Sequence, residues 1–452
     1  MKTIFLRITK NVKIPAVFLL VGLLILPGFA LAASPLEWFE TEPMKTPAYM
    51  QSKENLNPVD VTPRASFFQP QPPTSADVDV IELLLQLNET VLLGYLENLT
   101  GFGPRLSGTD ACDQAAQYLY STFQDMGLSV QYHNYTDDIV SGSNIEATLE
   151  GTNSTNIFII CAHYDSVAAG PGADDDGSGV AAVLAAAEIM KNYEFYHTIR
   201  FVCFSGEEQG LIGSHHYAKD AYTNNDTILA VLNADMIGFA PDPSDGTQGK
   251  IYENTASEWI VDYTIDVSER YAEYIGIDLI PKGESWGSDH YSFWQYGYNA
   301  VFYHEYHFNE YYHSAEDIIE HMNLTYSAHF SRLILATLAE LAQEPRPVLK
   351  IISITGGFGV TSQVSNIGDV NASDIEIHLL ITGGLFGLIN VSTLHQTPLL
   401  PPDDSIEITN RLFRIGKIDI TVSASASNAD QTIKHASGFL LGPFVLRMES
   451  EP

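Results

Sequence analysis

Three consecutive aspartates, Asp174, Asp175 and Asp176, sit between glycines in the stretch GPGADDDGSG (170–179), shortly after the apolar run NIFIICA. Like charges a few ångströms apart repel, and beside a low-dielectric core the repulsion is expensive unless a cation offsets it. Taken alone the loop also reads as a solvated turn capping a helix that begins near Ser178, because Asp and Gly are ordinary turn and N-cap residues. The other strand-like runs decide between the two. His163 and Asp165 follow NIFIICA, Glu207 and Glu208 follow TIRFVCFS, Asp235 follows ILAVLN, and His313 lies in YYHSAED beyond NAVFYHEY. Ligands of open α/β sheets bind outside the carboxyl ends of the strands, so these side chains are expected along one edge. Imidazole and carboxylate donors without cysteine suit zinc, with manganese or cobalt as alternatives. One bridging carboxylate, plus a histidine and a carboxylate for each ion, is the minimum for a pair of dications. One aspartate of the loop is therefore expected to bridge, and its neighbours to cap the helix or bond to the loop.

The elements that must position these groups are legible as an alternation of apolar runs and amphipathic helices over residues 77–347. That pattern predicts an α/β domain with a mostly parallel sheet covered by helices on both faces. The stretch 80–100 reads as one helix, as do 258–276 and 318–343. After QEPRPV the pattern changes to short alternating runs with Gly, Pro, Asn and Asp turns. Residues 348–452 are therefore expected to form an all-β sandwich. Residues 33–76, rich in Pro, Ser, Thr and Gln, read as a linker or pro-region. Residues 1–32 have a basic start, an apolar stretch and an Ala-x-Ala site, the layout of a cleaved signal peptide; an uncleaved membrane anchor is the alternative.

The 452 residues carry a formal net charge of −34, which argues against nucleic acid and against a stable membrane partner, since anionic membrane surfaces attract basic patches. Three cysteines, Cys112, Cys161 and Cys203, cannot build a disulfide framework, and the last two sit in apolar runs as small core residues. Asn-x-Ser/Thr sequons, among them Asn98, Asn134, Asn371 and Asn390, are candidate glycan sites in an exported chain.

The motifs AHYDSV, GADDDGSG, SGEEQGLIGS, NADMIG, GSDHYSF and YYHSAED, in this order over residues 95–345, resemble the secreted di-zinc aminopeptidases of the leucine-aminopeptidase and aminopeptidase Y type. The segment GFGPRLSGT around Arg105 fits the same resemblance. It implies two co-catalytic zinc ions: His163 and Asp235 on one, Glu208 and His313 on the other, and Asp175 bridging. Glu207 would be the general base towards the metal-bridging water, Asp165 would orient His163, Tyr312 would donate to the oxyanion, and Asp289 would stand behind the ligands. Peptide or protein N-termini would be the substrates. His304 and His307 lie close enough in sequence to compete with His313 as the ligand, whereas His215, His216 and His290 read as packing or surface residues. A carboxypeptidase on this scaffold would need arginine for the substrate carboxylate, and arginine is scarce. A single-zinc glutaminyl cyclase and a metal-free binding module are further alternatives, set against an intact set of donors.

Overall fold

The computed structural model describes residues 78–242, 246–345, 347–368 and 370–450; the expected signal segment 1–32 and linker 33–76 lie outside the described residues. Helices α1 (Val80–Gln86) and α2 (Glu89–Thr100) divide the stretch that reads as one helix. The break lies at Asn88, whose extended backbone and side chain, accepting from the Thr90 and Val91 amides, make it the N-cap of α2. Helix α3 (Asp110–Asp125) leads into β1 (Ser129–Thr136) and β2 (Ser141–Leu149). Then follow β3 (Asn153–His163), α4 (Gly177–Met190), β4 (His197–Phe204), α5 (Ile212–Asn224), β5 (Ile228–Ala234) and β6 (Gln248–Tyr252). The series closes with α6 (Glu258–Arg270), α7 (Ala272–Ile275), β7 (Asp278–Pro281), α8 (His290–Trp294), β8 (Ala300–Glu305) and α9 (Leu324–Leu341). The helix expected over 318–343 thus starts only at Leu324, where Asn323 caps it by accepting from the Tyr326 amide.

The eight strands order as β1-β2-β4-β3-β5-β8-β6-β7. The central β4-β3-β5-β8 are mutually parallel, and β6 runs parallel to β7. The β1–β2, β2–β4 and β6–β8 pairs are antiparallel. The sheet is therefore mixed, with the expected parallel order held by its central strands and by β6–β7. The reason is local: β1 and β2 are joined by a tight connection that only antiparallel strands can use, and β6 and β7 are too short for an apolar-run signal. Along β3 the side chains alternate between two buried clusters. Phe158, Ile160 and Ala162 join Val180, Leu184 and Leu335 of α4 and α9. Ile157, Ile159 and Cys161 join Tyr217 and Phe293 of α5 and α8. A strand buried in both directions reads as continuous apolar sequence, as NIFIICA does.

Residues beyond 348 form β9 (Leu349–Thr355), β10 (Gly357–Phe358), β11 (Val360–Asn366), β12 (Ala372–Gly383), β13 (Ile389–Leu400), β14 (Ser405–Asn410), β15 (Arg414–Ala426), β16 (Ala429–Gly442) and β17 (Phe444–Ser450). They pair in a six-stranded sheet, β10-β17-β16-β15-β12-β13, and a three-stranded one, β14-β11-β9. Ile377, Leu379 and Ile420 of the larger sheet share one buried cluster with Ile351 and Val364 of the smaller. Cys112, Cys161 and Cys203 are buried and free. Among the described residues no helix is long and apolar enough to cross a membrane.

Candidate metal centre

The donors meet where the central parallel strands end. His163 is the last residue of β3, whose neighbours β4 and β5 deliver Glu207–Glu208 and Asp235 to either side of it. The three aspartates of the loop divide their tasks. Asp176 caps α4: its Oδ1 accepts from the Gly179 amide at 2.9 Å and the Met236 amide at 3.3 Å, and its Oδ2 from the His163 amide at 3.1 Å. Asp174 accepts from the Gly238 amide and from Asn309 Nδ2, both at 2.8 Å. Asp175 faces two imidazoles. Its Oδ1 lies 3.3 Å from His163 Nε2 and its Oδ2 lies 3.3 Å from His313 Nε2. Each imidazole has a further carboxylate beside it: Asp235 Oδ1 at 3.7 Å from His163 Nε2, and Glu208 Oε2 at 3.0 Å from His313 Nε2.

Among the described residues two groups of ligand atoms are compact enough for a metal, His163/Asp176/Asp235 and Asp175/Glu208/His313. Within the first, Asp176 has both oxygens committed to backbone amides, whereas Asp175 Oδ2 and Glu208 Oε1 are buried without a hydrogen-bond partner. Asp175, Glu208, Asp235 and the two imidazoles thus fit dications by the chemistry of their donors, and their oxygens are left over for that purpose.

So dense a set of acids distorts ionisation. Burial and the Asp175 charge raise the Glu208 carboxyl to about 7. Burial likewise pushes Glu207 well above the usual range, against the pull of His163 and with repulsion from Glu208, Asp235 and Asp289 added. Burial would raise Asp175 too, yet the adjacent His163 and His313 imidazoles hold it below the ordinary carboxylate value. His313 is up at about 10, because Asp175 and Glu208 outweigh its desolvation. Positive charge is what this cluster lacks.

The remaining expected residues stand around these donors. His163 Nδ1 lies 3.1 Å from the Asp165 backbone carbonyl and 3.6 Å from its carboxylate, so the carbonyl is the closer acceptor. The Asp165 carboxylate accepts instead from the Glu207 and Glu208 amides, each at 3.3 Å. Tyr312 stacks on His313 with ring centroids 3.7 Å apart, and burial with the nearby acids raises its hydroxyl. Asp289 is fully buried, and burial raises it to about 7. His304 turns its Nδ1 to the Asp235 carbonyl at 3.1 Å, and the His307 ring packs on Tyr306, so neither joins the donors.

Several functional neighbours carry no motif of their own. Ser288 donates to Asp235 Oδ2 at 2.5 Å and accepts from Asn233 at 2.7 Å, which aims the carboxylate. Arg105, fully buried, spends its guanidinium on the carbonyls of Tyr164, Pro171 and Gly172, bracing the loop that carries Asp175. Asp317 bonds the backbone of Asp174 and Asp175. The GFGPRLSGT and YYHSAED stretches already held two of these, but their roles run through main-chain groups that no spacing reveals.

Residues 144–338 match the model of peptidase family M28. A probable leucine aminopeptidase of Arthroderma benhamiae is 30% identical over 287 residues, 58% of this chain and 74% of that protein. The chain belongs to peptidase family M28. Aminopeptidase YwaD of Bacillus subtilis is 30% identical over 197 residues, 42% of each chain. Among solved structures, the LapA aminopeptidase of Legionella pneumophila aligns with a TM-score of 0.54 at 22% identity, covering 62% of this chain and 80% of LapA. An aminopeptidase from Aneurinibacillus sp. strain AM-1 aligns at 0.52 and 17%, covering 59% and 96%. The fold also extends to Porphyromonas gingivalis glutaminyl cyclase, at 0.50 and 18%, covering 56% and 99%. This M28 member is a metallo-aminopeptidase, a hydrolase.

Proposed function

We propose that the enzyme is an exported di-zinc aminopeptidase that releases residues from peptide N-termini. The observation that carries the reading is Asp175, with one oxygen towards each of two imidazoles that each have a carboxylate of their own. His163, Asp235 and Asp175 would hold one ion, and Glu208, His313 and Asp175 the other. Bound there, the pair offsets the acids and supplies Lewis acidity towards the scissile carbonyl.

The chain's own groups do the rest. Glu207 feels the charges of His163, Glu208 and Asp235, and its raised proton affinity suits a base that takes the proton of the attacking water and returns it to the leaving amine. Asp165 fixes the Glu207–Glu208 turn through two amides, so base and ligand keep their relative aim. Tyr312 keeps its hydroxyl proton and offers a hydrogen bond to the developing oxyanion. Carboxylates at the site attract the free α-amino group of the substrate. Arg105 is occupied with three carbonyls and is not available for a C-terminal carboxylate, which disfavours a carboxypeptidase. A second complete group of donors disfavours a single-zinc cyclase.

Export rests on the three-part layout of residues 1–32, and exposed sequon residues such as Asn98, Asn134, Asn371 and Asn390 suit a glycoprotein. Hydrolysis of leucyl-nitroanilide and of its N-acetylated form, each with and without chelator, tests the reading. Chelator should abolish turnover, zinc should restore it, and the acetylated form should stay intact. Chelator-insensitive turnover or cleavage of the blocked substrate would contradict it.

A further inference from the structure

The solvent face of the six-stranded sheet is not polar along its whole length. Directly opposed residues of antiparallel strands share a face. Ile415 opposes Leu441, Leu441 opposes Phe444, and Phe444 opposes Phe358, so one apolar row crosses four strands. These four are 48%, 50%, 51% and 56% exposed. The next row holds Lys417, Phe439 and Leu446. At the end of the first row the Leu385–Leu388 turn between β12 and β13 rests on Gly416, where a Cβ would come within 2.5 Å of the Leu385 amide nitrogen. Phe386, Leu388 and Phe413 project here, 86%, 76% and 72% exposed. A hollow of about 400 Å³ opens between Leu385, Leu388, Phe413 and Ile415. Scattered apolar residues need no explanation, but a contiguous patch with protruding aromatics marks a binding surface.

The charges around it indicate what binds. In a chain of net charge −34, this patch is collared by cations. Arg414 lines the hollow, Arg411 lies 5.5 Å over the Phe358 ring, and Lys417 stands in the second row. The first acids on this face, Asp419 and Glu449, both oppose Ser437, two residues further along the strands and so about 7 Å back. An apolar tip, a basic collar and acids behind them match the layering of acyl chains, headgroup phosphates and water. The charge of the remaining chain is screened within about 8–10 Å at physiological salt, so the collar governs contact. Locally this reverses the exclusion drawn from net charge.

We propose that this end of the C-terminal region docks on an anionic lipid bilayer, with the Leu385–Leu388 turn and Phe413 entering the boundary between headgroups and acyl chains. The enzyme would then work at a membrane surface without spanning it. Each collar cation strengthens such binding by roughly fivefold. Flotation of the protein, freed of its N-terminal signal segment, with two kinds of vesicle tests this: pure phosphatidylcholine, and phosphatidylcholine mixed equally with phosphatidylglycerol. The mixed vesicles should carry the protein, and pure phosphatidylcholine should carry at least tenfold less. Phe386→Asp with Leu388→Asp should weaken binding by about a hundredfold. Arg414→Glu with Lys417→Glu should remove the preference for the mixed vesicles. Both variants should keep wild-type turnover of leucyl-nitroanilide, which reports an intact fold. Wild-type protein that ignores both vesicles, or variants that float like wild type, would overturn the proposal. So would self-association that the Phe386/Leu388 variant loses, which assigns the face to a second copy, or vesicle binding that appears only after residues 33–76 are deleted.

Discussion

The Asp317 carboxylate holds Asp175 by its backbone: Oδ2 accepts from the Asp175 N–H at 3.1 Å, while Oδ1 accepts from Asp174 at 2.9 Å. Asp317 belongs to the YYHSAED stretch that carries His313. One buried side chain therefore fastens the loop of the second histidine to the loop of the aspartate between the two imidazoles.

Asp317→Ala should consequently loosen the donors without removing any. Two amides lose their acceptor, and outer partners of this kind tune metal affinity by about 10–100-fold. Zinc affinity read by competition with a chromogenic chelator should fall by that factor, with the melting transition still cooperative. An unchanged affinity would mean that the two loops hold each other by other contacts.

Asp165→Asn separates two roles. The amide keeps one acceptor but turns a donor towards the Glu207–Glu208 turn, where two N–H groups already point inward. A loss on the order of 1–3 kcal/mol is expected at that turn, or about tenfold to a hundredfold in kcat, with KM nearly constant. A variant in which only KM changes would place Asp165 in substrate binding instead.

Glu207→Gln removes the proposed base while leaving Asp175, Glu208, Asp235 and both histidines in place. Turnover should fall by about 10²–10⁴-fold while metal content by atomic emission stays at the wild-type value. Loss of metal together with activity would make Glu207 a ligand.

Acid should destabilise the protein through histidines remote from this chemistry. Burial lowers His197, at the start of β4, to about 4, so the folded state holds it neutral while the unfolded chain binds a proton below about 6.5. Its contribution is full above about pH 6.5 and is lost as pH falls towards 4, a change of roughly 2 kcal/mol. Melting temperatures across that window should fall less steeply in His197→Gln than in wild type. Parallel curves would assign the acid limb to other groups.

Legibility followed chemistry more than architecture. His163, Glu207, Glu208 and Asp235 could be read because each follows an apolar run, and a buried strand must hand its last side chains to the sheet edge. Which aspartate faces both imidazoles could not be read from spacing. The choice depends on Asp174 and Asp176 being consumed by the Gly238, Gly179, Met236 and His163 amides. Arg105 and Asp317 act through carbonyls and amides, which leave no side-chain pattern. In the fold, Asn88 is a legible N-cap, but the apolar run on both sides of it hides the break. Strands β6 and β7 are too short to show a period, and with them went the antiparallel β6–β8 pairing.

Anomalous scattering at the zinc edge, from crystals grown with zinc, addresses the central claim most directly. Two peaks are expected, one about 2.0–2.2 Å from donors of His163, Asp175 and Asp235, the other equally close to Asp175, Glu208 and His313. A single peak, or none with the Asp175 carboxylate turned to solvent, would contradict it.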